Sequence, residues 1–489
     1  MARRKRKQGA AGTGLVAGTP AADAAIAKLQ ELVRIPTVSD RDPTRMDLAA
    51  FDEFVDTLLE QFPLLHEHLP ATRIDTHGLL FHWRGRGEDA PVVLMAHLDV
   101  VPIGDESRWS HPPFGAEVHD HPGLGPAVHG RGTLDDKGSL VAICEAVEAL
   151  LAAGFVPAQD VWLSFGCNEE VSGTAATLAV EELTRRGVRP WFVLDEGGAI
   201  AGEAFPGVSA PIGVVGVTEK GVTSLELTAE GRGGHASTPA RNGPTARIAR
   251  AITRLDSTPM PGRLPDATLE LFARMAPHMA GPLRPLIRKV VDAADTSPRL
   301  RPLIIRALVA AGPEAAALTR TTFAVTTLSG SPALNVIAAS ARAGVNIRVM
   351  VGDTVADAVA HVRRVIDDDS IRIDIVESNE PSPLSPYSSV AQQRQDPAFS
   401  LLERTIIDCF PEAVPSPYVM MAATDSRFFT AISERVYRFT PFRMSKAQRE
   451  AIHSYDEMIG VQDYLDGIEW YRRLISGLPA HGESAGAAR

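Results

Sequence analysis

Four clusters of metal-binding and acid–base residues recur between residues 97 and 196: His97-Leu98-Asp99, Asp135-Asp136, Glu169-Glu170 and Asp195-Glu196. Adjacent carboxylates repel one another unless a cation or a proton offsets them. Carboxylates combined with imidazole suit zinc, and manganese or cobalt also fit. In an extended strand, residues i and i+2 share a face. Asp99 is therefore placed to orient the His97 ring through its second nitrogen, as metal-ligating histidines require; an ordinary structural hydrogen bond would look the same. Asp135 and Asp136 close the stretch His129–Gly138, in which three glycines and four charged residues are packed together. Either aspartate also suits the N-cap of a helix beginning near Lys137. Glu-Glu pairs occur on ordinary surfaces as well.

The elements around these clusters decide between the readings. Pro91–Val100 begins as a continuous apolar run, as a buried central strand should. Asp160–Gly166 and Trp191–Leu194 read as further strands, and Gly138–Ala153 and Thr174–Arg186 as helices with apolar residues at helical spacing. Helix and strand alternate, which predicts an α/β sheet covered on both faces. Each acidic cluster after the first strand lies at a strand end or in the turn that follows, and that edge is where open α/β sheets bind ligands. Four such placements in register argue for a metal-assisted site.

From about Glu219 the pattern changes. Val222–Ala229 alternates, Thr245–Leu255 and Val355–Ile366 are helical, and Thr321–Leu328, Ala341–Val349 and Arg372–Val376 read as strands. The order strand-helix-strand-strand-helix-strand predicts an inserted α+β, ferredoxin-like domain. Residues 1–20 are expected to be a disordered basic tail, 21–218 the first part of the catalytic domain, and 219–380 the inserted domain. A helical insertion is expected at about 263–318, the second catalytic part at 381–478 and a frayed tail at 479–489.

The 489 residues are 45% hydrophobic and 22% charged, an ordinary globular composition with room for two or three domains. A net charge of -11 argues against a nucleic-acid binder with a broad basic surface. Three sparse cysteines (Cys144, Cys167, Cys409) form no disulfide framework and point to a reducing, cytoplasmic setting. No apolar run reaches the roughly 18 residues of a membrane span, and the basic N-terminus lacks the apolar core of an export signal.

The order HLDVVP, GRGTLDDKGS, NEEVSG, DEGG, GRGGHAS and a late His resembles the co-catalytic zinc family of aminoacylases, acetylornithine deacetylases, succinyl-diaminopimelate desuccinylases and glutamate carboxypeptidases. The likeness spans roughly Ala21 to Ser476. Thr424-Asp425-Ser426-Arg427-Phe428, the run Tyr437-Arg438-Phe439 through His453, Asn335-Val336-Ile337 and Asn346-Ile347-Arg348 are most similar to the carboxypeptidase S and N-fatty-acyl-amino-acid hydrolase branch. The resemblance implies a zinc-peptidase-like catalytic domain with a lid and dimerisation domain. It implies two Zn²⁺ per subunit, with Asp135 bridging, His97 and Asp195 completing one ion and Glu170 and His453 the other. Asp99 would support His97, and a cis peptide would follow Asp135. Glu169 would be the general base, and His235 would reach the partner subunit's site to stabilise the oxyanion. Arg348, helped by Asn335, would grip a substrate carboxylate. Asp136 is left a supporting or capping role. His453 has no spacing signal of its own and rests on the resemblance.

Two departures concern substrate detail. Met421-Ala422-Ala423 precedes Thr424 where relatives usually have glycines, and Ala338-Ala339 follows Ile337 where relatives often have proline. The expected activity is hydrolysis of an amide or peptide bond beside a free carboxylate, in an N-acyl amino acid or a short peptide. The competing readings are a non-catalytic, metal-stabilised dimeric binding protein and an enzyme run toward amide synthesis. The insertion either shapes an acyl-chain site or packs the lid.

Overall fold

The structure is a computed structural model that describes residues 14–480, except 206, 282, 283, 286, 290, 292–298, 300, 313–315 and 391. Much of the two expected tails, and part of the expected insertion, lie outside the described residues.

Three parallel strands, Val92–His97, Val161–Gly166 and Phe192–Asp195, form the centre of a ten-stranded mixed sheet among the described residues. Their side chains feed two cores. Val92, Leu94 and Ala96 join one, and Val93 and Met95 the other. This two-sided burial explains the continuous apolar runs.

The helix Lys137–Ala152 covers the first face and is buried on most of its circumference. It lies between the sheet and the helices Pro20–Arg34 and Val461–Ser476. A helix that is apolar nearly all round needs such a sandwiched position. Ala176, Ala179 and Leu183 of the helix Ala175–Arg185 cover the second face.

A four-stranded antiparallel sheet follows, in the order Thr322–Ser329, Ser340–Val349, Gly221–Glu230, Ile371–Asn379. The helices Pro244–Ser257 and Val355–Ile366 contribute to a core shared with its strands, giving the expected ferredoxin-like arrangement. The second helix begins with a capping box between Thr354 and Asp357. The larger sheet leaves off at Glu219, and the chain returns to it through Ser382, whose hydroxyl accepts the Glu219 N–H at 2.9 Å.

The helical insertion interrupts the smaller sheet in sequence but packs on the larger one. Leu271, Phe272 and Met275 of the helix Asp266–Met275 share a core with Ile212. Arg274 donates to the carbonyls of Pro415 (2.9 Å) and Ser388 (2.5 Å). Its target strand, Val414–Met420, carries no strand signature in sequence because Pro415 and Pro417 lack ladder donors. A third sheet joins the hairpin Val118–His121/Gly125–His129 to Met458–Gly460.

Candidate active site

His97 and Asp195 end two neighbouring central strands, and Glu169 and Glu170 follow the third. The strand ends therefore place these side chains along one edge. Asp135 arrives from the turn before the helix Lys137–Ala152. That turn requires glycine at two points. Gly132 has φ +87°, and a Cβ on Gly138 would collide with the Thr133 carbonyl. The Asp135–Asp136 peptide is cis, as the resemblance implied.

Asp135 faces a histidine with each oxygen. Oδ1 lies 3.0 Å from His97 Nε2, and Oδ2 lies 2.9 Å from His453 Nε2. His453 Nε2 is also 3.1 Å from Glu170 Oε2. After the short helix Lys446–Ala451 the chain turns through left-handed His453 (φ 59°), bringing its ring to this edge. Histidine is among the residues that tolerate that conformation best. Asp195 accepts the Ser426 N–H at 2.9 Å and shares a wall with His97, Glu169 and Asp425.

Asp99 does more than support His97. The His97 Nδ1 lies 3.0 Å from the Asp99 carbonyl and 3.4 Å from its carboxylate. That carboxylate also accepts the N–H groups of Glu169 (3.1 Å) and Glu170 (3.2 Å). Asp136 does not cap the helix with its side chain; its Oδ2 accepts the His97 N–H at 3.3 Å instead.

The electrostatics call for added positive charge. Burial raises the pKa values of Glu169, Glu170 and Glu196, and lifts Asp425 to about 7. Hydrogen bonds to Asp135 and Glu170 raise His453 to about 10. Burial opposes ionisation of Asp135, but hydrogen bonds from His453 and His97 hold its carboxyl below the usual range. Glu170 Oε1 is buried without a hydrogen-bond partner. Ligand atoms of His97, Asp135 and Glu170 lie within 4.8 Å of one another. An unfilled carboxylate oxygen among imidazoles and further acids is a donor set that fits divalent cations.

Several residues outside the expected set position these side chains. Glu457 Oε1 accepts the N–H groups of Leu134 (2.8 Å) and Asp135 (3.1 Å), while Oε2 pairs with buried Arg131 at 2.7 Å. Lys137 donates to the carbonyls of Leu32 and Ile35, tying the end of the first helix to the turn. Glu219 accepts the Thr424 N–H at 2.9 Å and pairs with Arg438 at 3.2 Å, fixing the loop that carries Asp425. The charges flanking Asp135 were a usable signal, whereas nothing near Glu457 in sequence points to Asp135.

His235 ends the short strand Gly234–His235, Asn335 precedes its partner strand Val336–Ile337, and Arg348 lies on Ser340–Val349. His235 and Asn335 are exposed and adjacent, with the Ala236 N–H donating to the Asn335 carbonyl at 3.1 Å. Arg348 is half-buried beside Glu377 and Lys220. Among the described residues, no hydrogen bond or ion pair links these three to the His97–Asp135–His453 cluster within one chain.

Residues 93–477 match Peptidase family M20/M25/M40. The chain belongs to this family. It is 34% identical over 430 residues to "Probable carboxypeptidase S-like 2" of Dictyostelium discoideum, covering 87% of this chain and 79% of the relative. It is 31% identical over 452 residues to human "N-fatty-acyl-amino acid synthase/hydrolase PM20D1", covering 91% and 86%. An M20 family metallo-carboxypeptidase from Sulfolobus solfataricus shares the fold, with a TM-score of 0.67 and 16% identity over 92% of this chain and 98% of that one. This family member is thus a metal-dependent hydrolase of amide or peptide bonds, with the α/β fold expected. No described helix is long and apolar enough to cross a membrane.

Proposed function

We propose that the enzyme hydrolyses N-acyl amino acids with long aliphatic acyl groups. The observation that carries this reading is a cavity of about 490 Å³ that reaches Asp135, Glu169 and His453. Phe205, Tyr418, Met420, Met421 and Ile452 help to line it. An apolar pocket meeting a few convergent polar groups suits a ligand with one greasy end. Phe205 and Tyr418 also pack against the core that includes the helix Asp266–Met275. The insertion thereby backs the acyl wall.

His97, Asp135, Glu170, Asp195 and His453 would hold two divalent cations, zinc by donor type, with cobalt or manganese as alternatives. Bound there, they would polarise the scissile carbonyl and acidify water. Glu169 accepts a proton from the attacking water and returns it to the departing amine nitrogen. Asp99 holds the Glu169 backbone and the His97 ring in place. His235 comes from a second copy of the chain in a homodimer joined through the smaller sheet. Its Nδ1 accepts the Ser237 N–H at 3.1 Å, so Nε2 carries the proton and can donate to the developing oxyanion. Arg348, with Asn335, pairs with the substrate carboxylate through its planar fork. The units divide at about 219 and 380, the inserted one serving as lid, and the protein works in the cytoplasm.

Likeness to the carboxypeptidase S-like relative favours a second reading, a carboxypeptidase acting on short peptides. One panel separates them. Metal-loaded enzyme is incubated with N-acyl amino acids of increasing chain length and with dipeptides, and the freed amines are measured. The acyl reading expects kcat/KM to rise with chain length; a preference for dipeptides overturns it.

A further inference from the structure

A second group of donors lies outside the catalytic edge. His111, Glu117 and His119 present ligand atoms within 4.8 Å of one another. Glu117 and His119 are two residues apart on one strand edge. The hairpin register pairs Val118 with Val128, and the His129 N–H donates to the Glu117 carbonyl at 3.0 Å. Opposed and alternating residues share a face of an antiparallel pair, so Glu117, His119 and His129 point the same way. His111 closes over them. Its ring centroid is 3.8 Å from that of His119 and 4.5 Å from that of His129.

His129 is the independent sign of a ligand. The residue is 7% exposed, and neither ring nitrogen has a hydrogen-bond partner. Buried polar atoms are rarely left so. The stacked imidazoles and the 2.9 Å contact between His119 Nε2 and Glu117 Oε2 would account for His111, Glu117 and His119, but they leave both His129 nitrogens unexplained. The group holds several imidazoles and a carboxylate and no thiolate, a set that suits zinc, nickel or copper rather than calcium or magnesium. A tetrahedral zinc would hold its donors roughly 3.4 Å apart; to meet it, the stacked His111 and His119 rings must turn out of parallel and the 2.9 Å contact of His119 Nε2 with Glu117 Oε2 must open.

We propose that His111, Glu117 and His119, with His129 as a fourth donor, form a separate structural site for a transition-metal dication. Its place gives it a purpose. His129 ends the strand that leads into the Asp135 turn, and it pairs with Met458, just beyond Glu457. A cation there would fasten the hairpin to the scaffold that presents Asp135.

The test uses the full chain, stripped of metal, reloaded with zinc chloride and desalted. Zinc per chain is then counted by mass spectrometry for the wild type, His119→Ala, His111→Asn and Glu117→Gln. The expected result is one zinc fewer per chain in the first two variants and at least tenfold weaker retention in Glu117→Gln. Turnover measured at saturating zinc should stay within twofold, and the far-ultraviolet spectrum should not change. Equal zinc content in the wild type and all three folded variants would overturn the proposal. Zinc should also raise the melting temperature of the wild type further than that of His111→Asn; an equal rise counts against it.

Discussion

Glu457 accepts the amide N–H of Asp135 at 3.1 Å from a position 322 residues further along the chain. The same oxygen takes the N–H of Leu134, and the other pairs with Arg131. The carboxylate therefore fixes the backbone from which Asp135 faces both histidines. Outer contacts of this kind typically control metal affinity by about 10–100-fold. Glu457→Gln should weaken metal retention by about that factor, read by dialysis against graded chelator, while Glu457→Ala should also lower the melting temperature.

Glu169→Gln should leave metal content unchanged and reduce kcat by roughly 10²–10⁴-fold, the usual contribution of a positioned base. Turnover within a few-fold of the wild type would assign the proton transfer elsewhere.

Ala422 is exposed and lines the apolar cavity. Ala422→Trp should raise KM for long-chain N-acyl amino acids by about tenfold or more, in keeping with the loss of two or so buried methylenes. It should barely alter acetylated substrates. Equal losses on both would show that the cavity does not read the acyl chain.

Subunit mixing tests His235. His235→Ala and Glu169→Gln homodimers should each be nearly inactive. Co-refolded mixtures should regain activity, because one site of the mixed dimer then has its own Glu169 and the other copy's His235. Failure to regain activity in a verified mixed dimer would place His235 outside the reaction.

Lys220 is buried at the join between the two sheets and donates to the Arg320 carbonyl at 2.8 Å. Burial, with Arg348 and Arg320 near and only Asp353 opposing, lowers its pKa to about 8. An unfolded lysine titrates near 10.4, so between about pH 8 and 10.4 the unfolded chain binds more protons and stability rises with pH. Lys220→Met should be more stable than the wild type at pH 7 by about 1–2 kcal/mol after the lost hydrogen bond is counted. The gap should close as pH rises through that window. A gap independent of pH would rule out ionisation as its cause.

The sequence made the central sheet legible because its strands are buried on both faces and read as unbroken apolar runs. The smaller sheet was legible for the opposite reason: Leu225, Leu227 and Ala229 alternate with residues that face away from the helices. The prolines of Val414–Met420 and the polar hairpin at Val118–His129 carry no such pattern. In the site, His97, Asp135, Glu170 and Asp195 stand at element ends that periodicity can locate. His453 and Glu457 reach Asp135 only through tertiary folding, so no local spacing could have exposed them. The placement of the insertion on the larger sheet depends on side-chain packing of Leu271, Phe272 and Arg274, which a chain read in order cannot show.

The return of the chain from the smaller sheet to Asp135 has a consequence for synthesis. His97, Asp135, Glu170 and Asp195 leave the ribosome long before His453 and Glu457. An interrupted chain carries the acidic edge without the imidazole and the carboxylate that complete and brace it. The contacts to Asp135 are therefore made only after nearly the whole chain has been synthesised, and a chain that stops before Glu457 cannot make the bond from the Glu457 carboxylate to the Asp135 N–H.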